Sequence, residues 1–340
     1  MDHRRDFLRT VVTAGLVAAA PRVAWADRFR ILPADDTGSA PRETSDALAR
    51  LIAGVAVGDT RTHRTLRVFW LRAPGALPFA IRTLQEANDA GDVTITERER
   101  ATVDTLLVEN RGKTPVLLLA GEVLAGGKQD RVVAEDVLLP AVSGAVGVAV
   151  YCVEQGRWTG ERGSGFKPAA MAPPALRQRA QEPGGQHQVW AEVSRYAARS
   201  AAPSATSKYL AVETKPEVRA QQDDAGAVLG APPADASGAA VFAGTRFTGL
   251  DLFGAPGLFA REWPKLLRSH AVEMSVAGGD AAAPADPLRE RAKDLLDRIG
   301  AARGTHRRNA GLGRLFGFRV LDFRGLALEA EGHVVHASVT

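Results

Sequence analysis

A single cysteine, Cys152, stands in a chain of 340 residues, so no disulfide can close within the molecule and no paired-cysteine zinc motif exists. Stability must come from packing. Nor do the seven histidines, at positions 3, 63, 187, 270, 306, 333 and 336, form HExxH or another ligand spacing. We therefore expect no metal and no cofactor, only hydrogen-bonded histidines. A GxSxG nucleophile elbow is also missing, so a hydrolase of that type has no support. Past the N-terminus no run is long and apolar enough to cross a membrane, which takes ~20 residues. Charge of one sign is scarcely in excess: 43 Lys and Arg against 39 Asp and Glu leave +4, too slight a balance to call for nucleic acid. No repeat of fixed period is present.

What is there begins with MDHRRDFLRTVVTAGLVAAAPRVAWAD. Arg4-Arg5 precedes Phe7-Leu8 and an apolar stretch from Val11 to Ala20, and Ala24 and Ala26 flank Trp25. This reads as a twin-arginine signal peptide over residues 1–26 with an A-x-A-like cleavage site, which predicts a periplasmic or extracellular protein, off the membrane after cleavage. Cleavage would remove Arg4, Arg5, Arg9, Arg22, Asp2 and Asp6, lowering the net charge from +4 to +2. Residues 27–340 are long enough for one large domain.

Along that remainder, Phe29–Leu32 reads as a short strand. Thr44 or Ser45 caps a helix from Asp46 to about Ala53, and Pro78–Ala90 fits a helix stopped by Gly91. Strands are expected at Val68–Leu71, Val93–Thr96 and Val103–Val108. Residues 159–187 and 212–239, rich in Gly, Pro, Gln and Asp, read as long loop excursions, with short helices at 175–182 and 188–199. A strand at 239–243, the segment 249–254 and a helix from Pro256 or Trp263 to Ser269 follow. Asp286 should cap a helix ending at Gly300, before closing strands near 316–321, 325–330 and 333–339. Consecutive short strands favour antiparallel pairing, so the fold class is α+β: a mainly antiparallel sheet with peripheral helices and long loops, in a single domain.

The richest stretch is PVLLLAGEVLAGGKQDRVVAEDVLLPAVSGAVGVAVYCVEQGRW, residues 115–158. Its polar residues fall at strand ends and turns, where neighbouring strands bring side chains together. The Gly126-Gly127 turn can aim backbone N–H groups inward, and Lys128 and Arg131 add positive charge beside them, a combination suited to a small anion. It is not a Walker loop, since Gly127 stands where the lysine should be. Glu122 and Glu154 each close a strand and could pair as a general acid or base, with Arg131 and Arg157 as charge partners. Gln129 and Gln155 would donate hydrogen bonds, and Trp158 could stack on a ring-bearing ligand. A second reading treats the same charges as ion pairs fixing strand ends in a non-catalytic structural or protein-interaction domain. Cys152, inside an apolar strand, reads as a packing residue.

GEVLAGGKQDR and YCVEQGRW, followed by QVW at 188–190, DLF at 251–253 and VVHASV near the end, resemble the ARG and rhodanese-phosphatase-superfamily-associated protein domain family, over about residue 40 to the C-terminus. The shared positions are Gly121, Glu122, Gly127, Lys128, Gln129, Arg131, Cys152, Glu154, Gln155, Arg157 and Trp158. The family carries no assigned biochemical activity. Its name, which records neighbourhood with ADP-ribosylglycohydrolase-type and phosphatase-type proteins, implies a role near nucleotide or ADP-ribose chemistry.

Overall fold

Antiparallel strands form the framework of the molecule. The computed structural model describes residues 41–98, 104–157, 165–182, 185–277 and 283–340; the leader, the Phe29–Leu32 segment and Trp158 lie outside them. Among the described residues the largest sheet has nine strands, all antiparallel. In spatial order they are Glu43–Thr44, Arg303–Arg308, Arg314–Val320, Phe323–Ala330, His333–Val339, Arg246–Phe253, Gly238–Ala243, Leu66–Arg72 and Ala56–His63. The Phe323–Ala330 and His333–Val339 strands join through Glu331-Gly332, both at positive φ (50° and 78°), the turn whose twist matches a two-residue hairpin.

A six-stranded antiparallel sheet runs Phe166–Met171, Glu122–Gly126, Arg131–Val133, Val146–Cys152, Thr105–Asn110 and Val93–Glu97. A three-stranded sheet, Val137–Leu139, Val116–Leu118 and Arg82–Thr83, bridges the two. Alternation explains the bridge. Val116, Leu118, Val137 and Leu139 pack with the six-stranded sheet, whereas Leu117 and Leu138 pack with the nine-stranded one, so both faces of the small sheet are buried.

Helices cover what the sheets leave. Asp46–Ala53 and Ala285–Gly300 place Leu48, Ile52, Leu288, Leu295 and Ile299 on one face of the nine-stranded sheet. Pro256–Ala277 sets Leu258, Trp263 and Leu266 on the other, where Trp263 meets Trp70 edge to face at 4.9 Å. Gln186–Arg199 packs over the six-stranded sheet, and Pro174–Gln181 lies beside it, where it also meets the Arg246–Phe253 and Phe323–Ala330 strands of the nine-stranded one. The fold is α+β with mostly antiparallel sheets.

Several local expectations need correction. The Pro78–Ala90 helix shrinks to Leu84–Asp89, because Arg82 and Thr83 pair in parallel with Val116 and Leu117 and a capping box between Thr83 and Glu86 starts the helix there. Asp286 is not a cap; the helix begins at Ala285 and the cap position is Pro284. The excursion at 159–187 contains a strand, Phe166–Met171, at the edge of the sheet, where Pro168 is tolerated beside a register shift. The 212–239 excursion contains a helix of 14 residues, Pro216–Leu229, whose buried Val218, Gln222, Ala225 and Leu229 recur at helical spacing behind a proline in the first turn. Ala56–His63 and Arg303–Arg308, too polar to announce themselves, are strands as well.

Candidate functional site

The antiparallel ladder that sets Cys152 opposite Arg131 carries the two polar turns to the same end of the six-stranded sheet. There Arg157 donates to the Gly127 carbonyl at 2.7 Å and to Glu154 Oε2 at 2.9 Å, and stands 3.3 Å from Asp130. Glu154 also accepts from Thr206 Oγ1 at 2.7 Å and from the Asp130 amide at 3.2 Å. Lys208 Nζ lies 3.0 Å from the other Asp130 oxygen. Gln129 donates to the Gln155 carbonyl at 3.2 Å, and Arg131 to the Gln129 carbonyl at 2.7 Å. Gly126, Gly127, Lys128, Gln129, Arg131, Glu154, Gln155 and Arg157 are thus gathered in one cluster.

Its interior is closed. Gln129, Asp130, Arg131 and Glu154 are all buried, while Arg157 and Lys208 keep 26% and 34% of their side chains exposed. The glycine turn does present N–H groups inward, but the chain's own carboxylates take them: the Gly126 amide donates to Asp130 Oδ1 and the Lys128 amide to Glu97 Oε1, each at 3.1 Å. The glycines themselves answer to packing. A Cβ on Gly126 would collide with the Gly165 carbonyl, and one on Gly127 with the Phe166 ring. Burial disfavours the charge on Glu154, yet Arg157, Thr206 and the Asp130 amide outweigh it and hold the carboxyl below its usual value. Burial pushes the Cys152 thiol up to about 11, which leaves it a packing residue.

Glu122 does not join Glu154. The two sit toward opposite ends of the five-residue strand Glu122–Gly126, roughly 13 Å apart at ~3.3 Å per residue, so the expected carboxylate pair does not form. Arg131 partners neither of them among the bonds described; its guanidinium is 3.9 Å from Glu97. Glu122 instead belongs to the turn Leu119–Glu122, closed by the Glu122 amide on the Leu119 carbonyl at 3.1 Å. Gly121 takes φ +97° at its third position, a conformation that favours glycine.

This turn is the hub of a buried charge chain. Glu122 accepts from the Leu119 amide at 3.0 Å and pairs with Lys265, which also lies 2.5 Å from Glu262. Burial raises the Glu262 pKa, and the neighbouring Glu122 adds to the rise. The Ala120 amide donates to Asp136 Oδ1 at 2.8 Å, Asp136 Oδ2 lies 2.6 Å from His336 Nδ1, and His336 Nε2 lies 3.1 Å from Asp251. Arg177 closes the series with two bonds to Asp251, at 2.6 and 3.0 Å. Burial opposes the charge on His336, but Asp136 and Asp251 raise its pKa to about 9. Arg177 and His336 likewise hold the buried Asp251 well below the ordinary carboxylate range.

A Cβ on Gly121 would collide with the Arg177 side chain. Gly121→Ala is therefore expected to cost about 1–3 kcal/mol, from backbone strain and displaced contacts, measured by urea denaturation. The same substitution at Gly144, where a Cβ would meet nothing within 4 Å, should stay within about 0.5 kcal/mol.

Residues 54–340 match the family described as the ARG and Rhodanese-Phosphatase-superfamily-associated Protein domain. The chain belongs to this family. No curated protein and no solved structure matches it. The motifs in which the chain resembles the family divide between the two clusters. GGKQDR and EQGR form the strand-end cluster, while Gly121-Glu122, Asp251 of DLF and His336 of VVHASV form the buried chain. Asp136, Arg177, Glu262 and Lys265 escaped sequence reasoning. The one signal for them was the i, i+3 spacing of Glu262 and Lys265 on the Pro256–Ala277 helix.

Proposed function

We propose that this family member is a non-catalytic domain in which the charges at the central strand ends fasten the sheet together. The observation that carries this reading is the occupancy of the glycine turn: its N–H groups hold Asp130 and Glu97, so an internal carboxylate fills the place of an external anion. The lowered pKa of Glu154 supports it, since a general acid or base near neutral pH needs a carboxyl shifted upward. Export is part of the proposal, resting on the leader-like residues 1–26.

A second reading keeps a small anionic ligand at this end of the sheet. The third of Lys208 that stays exposed favours it, because an ammonium with one carboxylate partner can serve another. One experiment separates them. Lys208→Ala should lower stability by no more than about 1 kcal/mol, as for a partly exposed pair, and leave inorganic phosphate binding, read by calorimetric titration, unchanged. A saturable phosphate affinity that disappears in Lys208→Ala would favour the ligand reading instead.

A further inference from the structure

Ladder register and helix spacing place several buried polar atoms without partners on one face of the nine-stranded sheet, beneath the Pro174–Gln181 helix. Ser338 stands directly across the ladder from Asp251, and residues so placed point to the same side. Arg177, bound twice to Asp251, therefore reaches the same layer as Ser338. Thr340, two residues on, shares that face and exchanges backbone hydrogen bonds with Arg324, each 2.9 Å. Gln181 follows Arg177 by one helical turn. The Gln178 amide ties the helix to the Asp322 carbonyl at 3.1 Å, so the helix overlies the strand ends that carry Arg324 and Thr340.

Arg177, Gln181, Ser338, Thr340 and Arg324 are all buried, Gln181 and Arg324 least so at 7% exposure each. Among the described residues, Arg177 Nε, both amide atoms of Gln181, Ser338 Oγ and Thr340 Oγ1 have no hydrogen-bond partner. Leaving such a group unmet costs about 1–3 kcal/mol, so a concentration of them marks a place where something binds. The inventory says what kind of thing. Arg177 Nε and the Gln181 nitrogen only donate, the two hydroxyls can donate, and Gln181 Oε1 alone must accept. The missing partner is chiefly an acceptor.

We propose that this layer is a binding site for a small oxyanion of the carboxylate or phosphate class, held under the Pro174–Gln181 helix by Arg177, Gln181, Ser338 and Thr340. The site is separate from the strand-end cluster and does not depend on how that cluster is read. Calorimetric titration of the full chain with inorganic phosphate and with acetate, against chloride at matched ionic strength, tests it. Saturable binding of one of the two is expected, weakened at least about tenfold by Ser338→Ala, Gln181→Leu or the isosteric Thr340→Val, and unaltered by Lys208→Ala. Absence of saturable binding by both probes, equal affinity in wild type and in folded variants, or ordered waters alone at the site in crystals grown with phosphate would overturn the proposal.

Discussion

Replacing Asp251 by alanine is expected to lower the free energy of unfolding by about 3–5 kcal/mol, because removing one partner of a buried charge pair leaves the others uncompensated. Asp251 accepts hydrogen bonds from both terminal guanidinium nitrogens of Arg177 and stands 3.1 Å from His336 Nε2, and all three side chains are buried. Its loss would strand the Arg177 guanidinium at the seam between the sheets and leave His336 with Asp136 as its remaining carboxylate partner. Urea denaturation followed by tryptophan fluorescence reads the effect, since Trp70 and Trp263 are buried together. Asp223→Ala supplies the comparison: its pair with Arg268 is exposed on both sides, and a pair of that kind contributes about 1 kcal/mol at most. If Asp251→Ala cost no more than Asp223→Ala, the buried chain would have no special part in stability.

Stability should also peak near pH 6.5 and fall on both sides. His336 in the folded chain has a pKa raised to about 9 by Asp136 and Asp251 against the opposing effect of burial, above the ~6.5 of an unfolded histidine. Its contribution is complete below that unfolded value and is lost as pH rises through about 9. His270 behaves in the opposite sense: burial pushes it down to about 4, so folding favours its neutral form. That contribution is complete above ~6.5 and is lost as pH falls toward 4. Asp251, held below its ordinary value, adds to the acid loss below an unfolded pKa of ~4. Each histidine shift corresponds to something on the order of 3 kcal/mol. Denaturation midpoints from pH 4 to 10 check this, with His336→Gln expected to flatten the alkaline limb and His270→Gln to soften the acid one. An alkaline limb that survives His336→Gln would assign it to other groups.

The strand-end cluster was legible in the sequence because its geometry is local. Arg131–Val133 and Val146–Cys152 are neighbouring strands, so antiparallel pairing brings GGKQDR beside EQGR. What could not be read was that the chain's own carboxylates occupy the glycine turn, since Glu97 comes from another strand, nor that Lys208, from a segment after the Gln186–Arg199 helix, pairs with Asp130 there. The buried chain was harder still. His336 meets Asp136 across 200 positions and Asp251 across 85, and Arg177 meets Asp251 across 74, distances over which no periodicity carries information. Glu122 misled for a related reason: as the last residue of an apolar run it read as a strand end, whereas Gly121 turns the chain before it and Glu122 opens the next strand. The Pro216–Leu229 helix was hidden by composition, its buried stripe resting on Val218, Gln222, Ala225 and Leu229 among glutamines and aspartates.

A double-mutant cycle on Glu154 and Arg157, each changed to alanine singly and together, bears most directly on whether the strand-end charges exist for one another. A coupling energy of about 1–3 kcal/mol is expected for two groups in a single bonded network. Losses that add within about 0.3–0.5 kcal/mol would mean the two side chains act independently, and the account of a self-paired lock would fail.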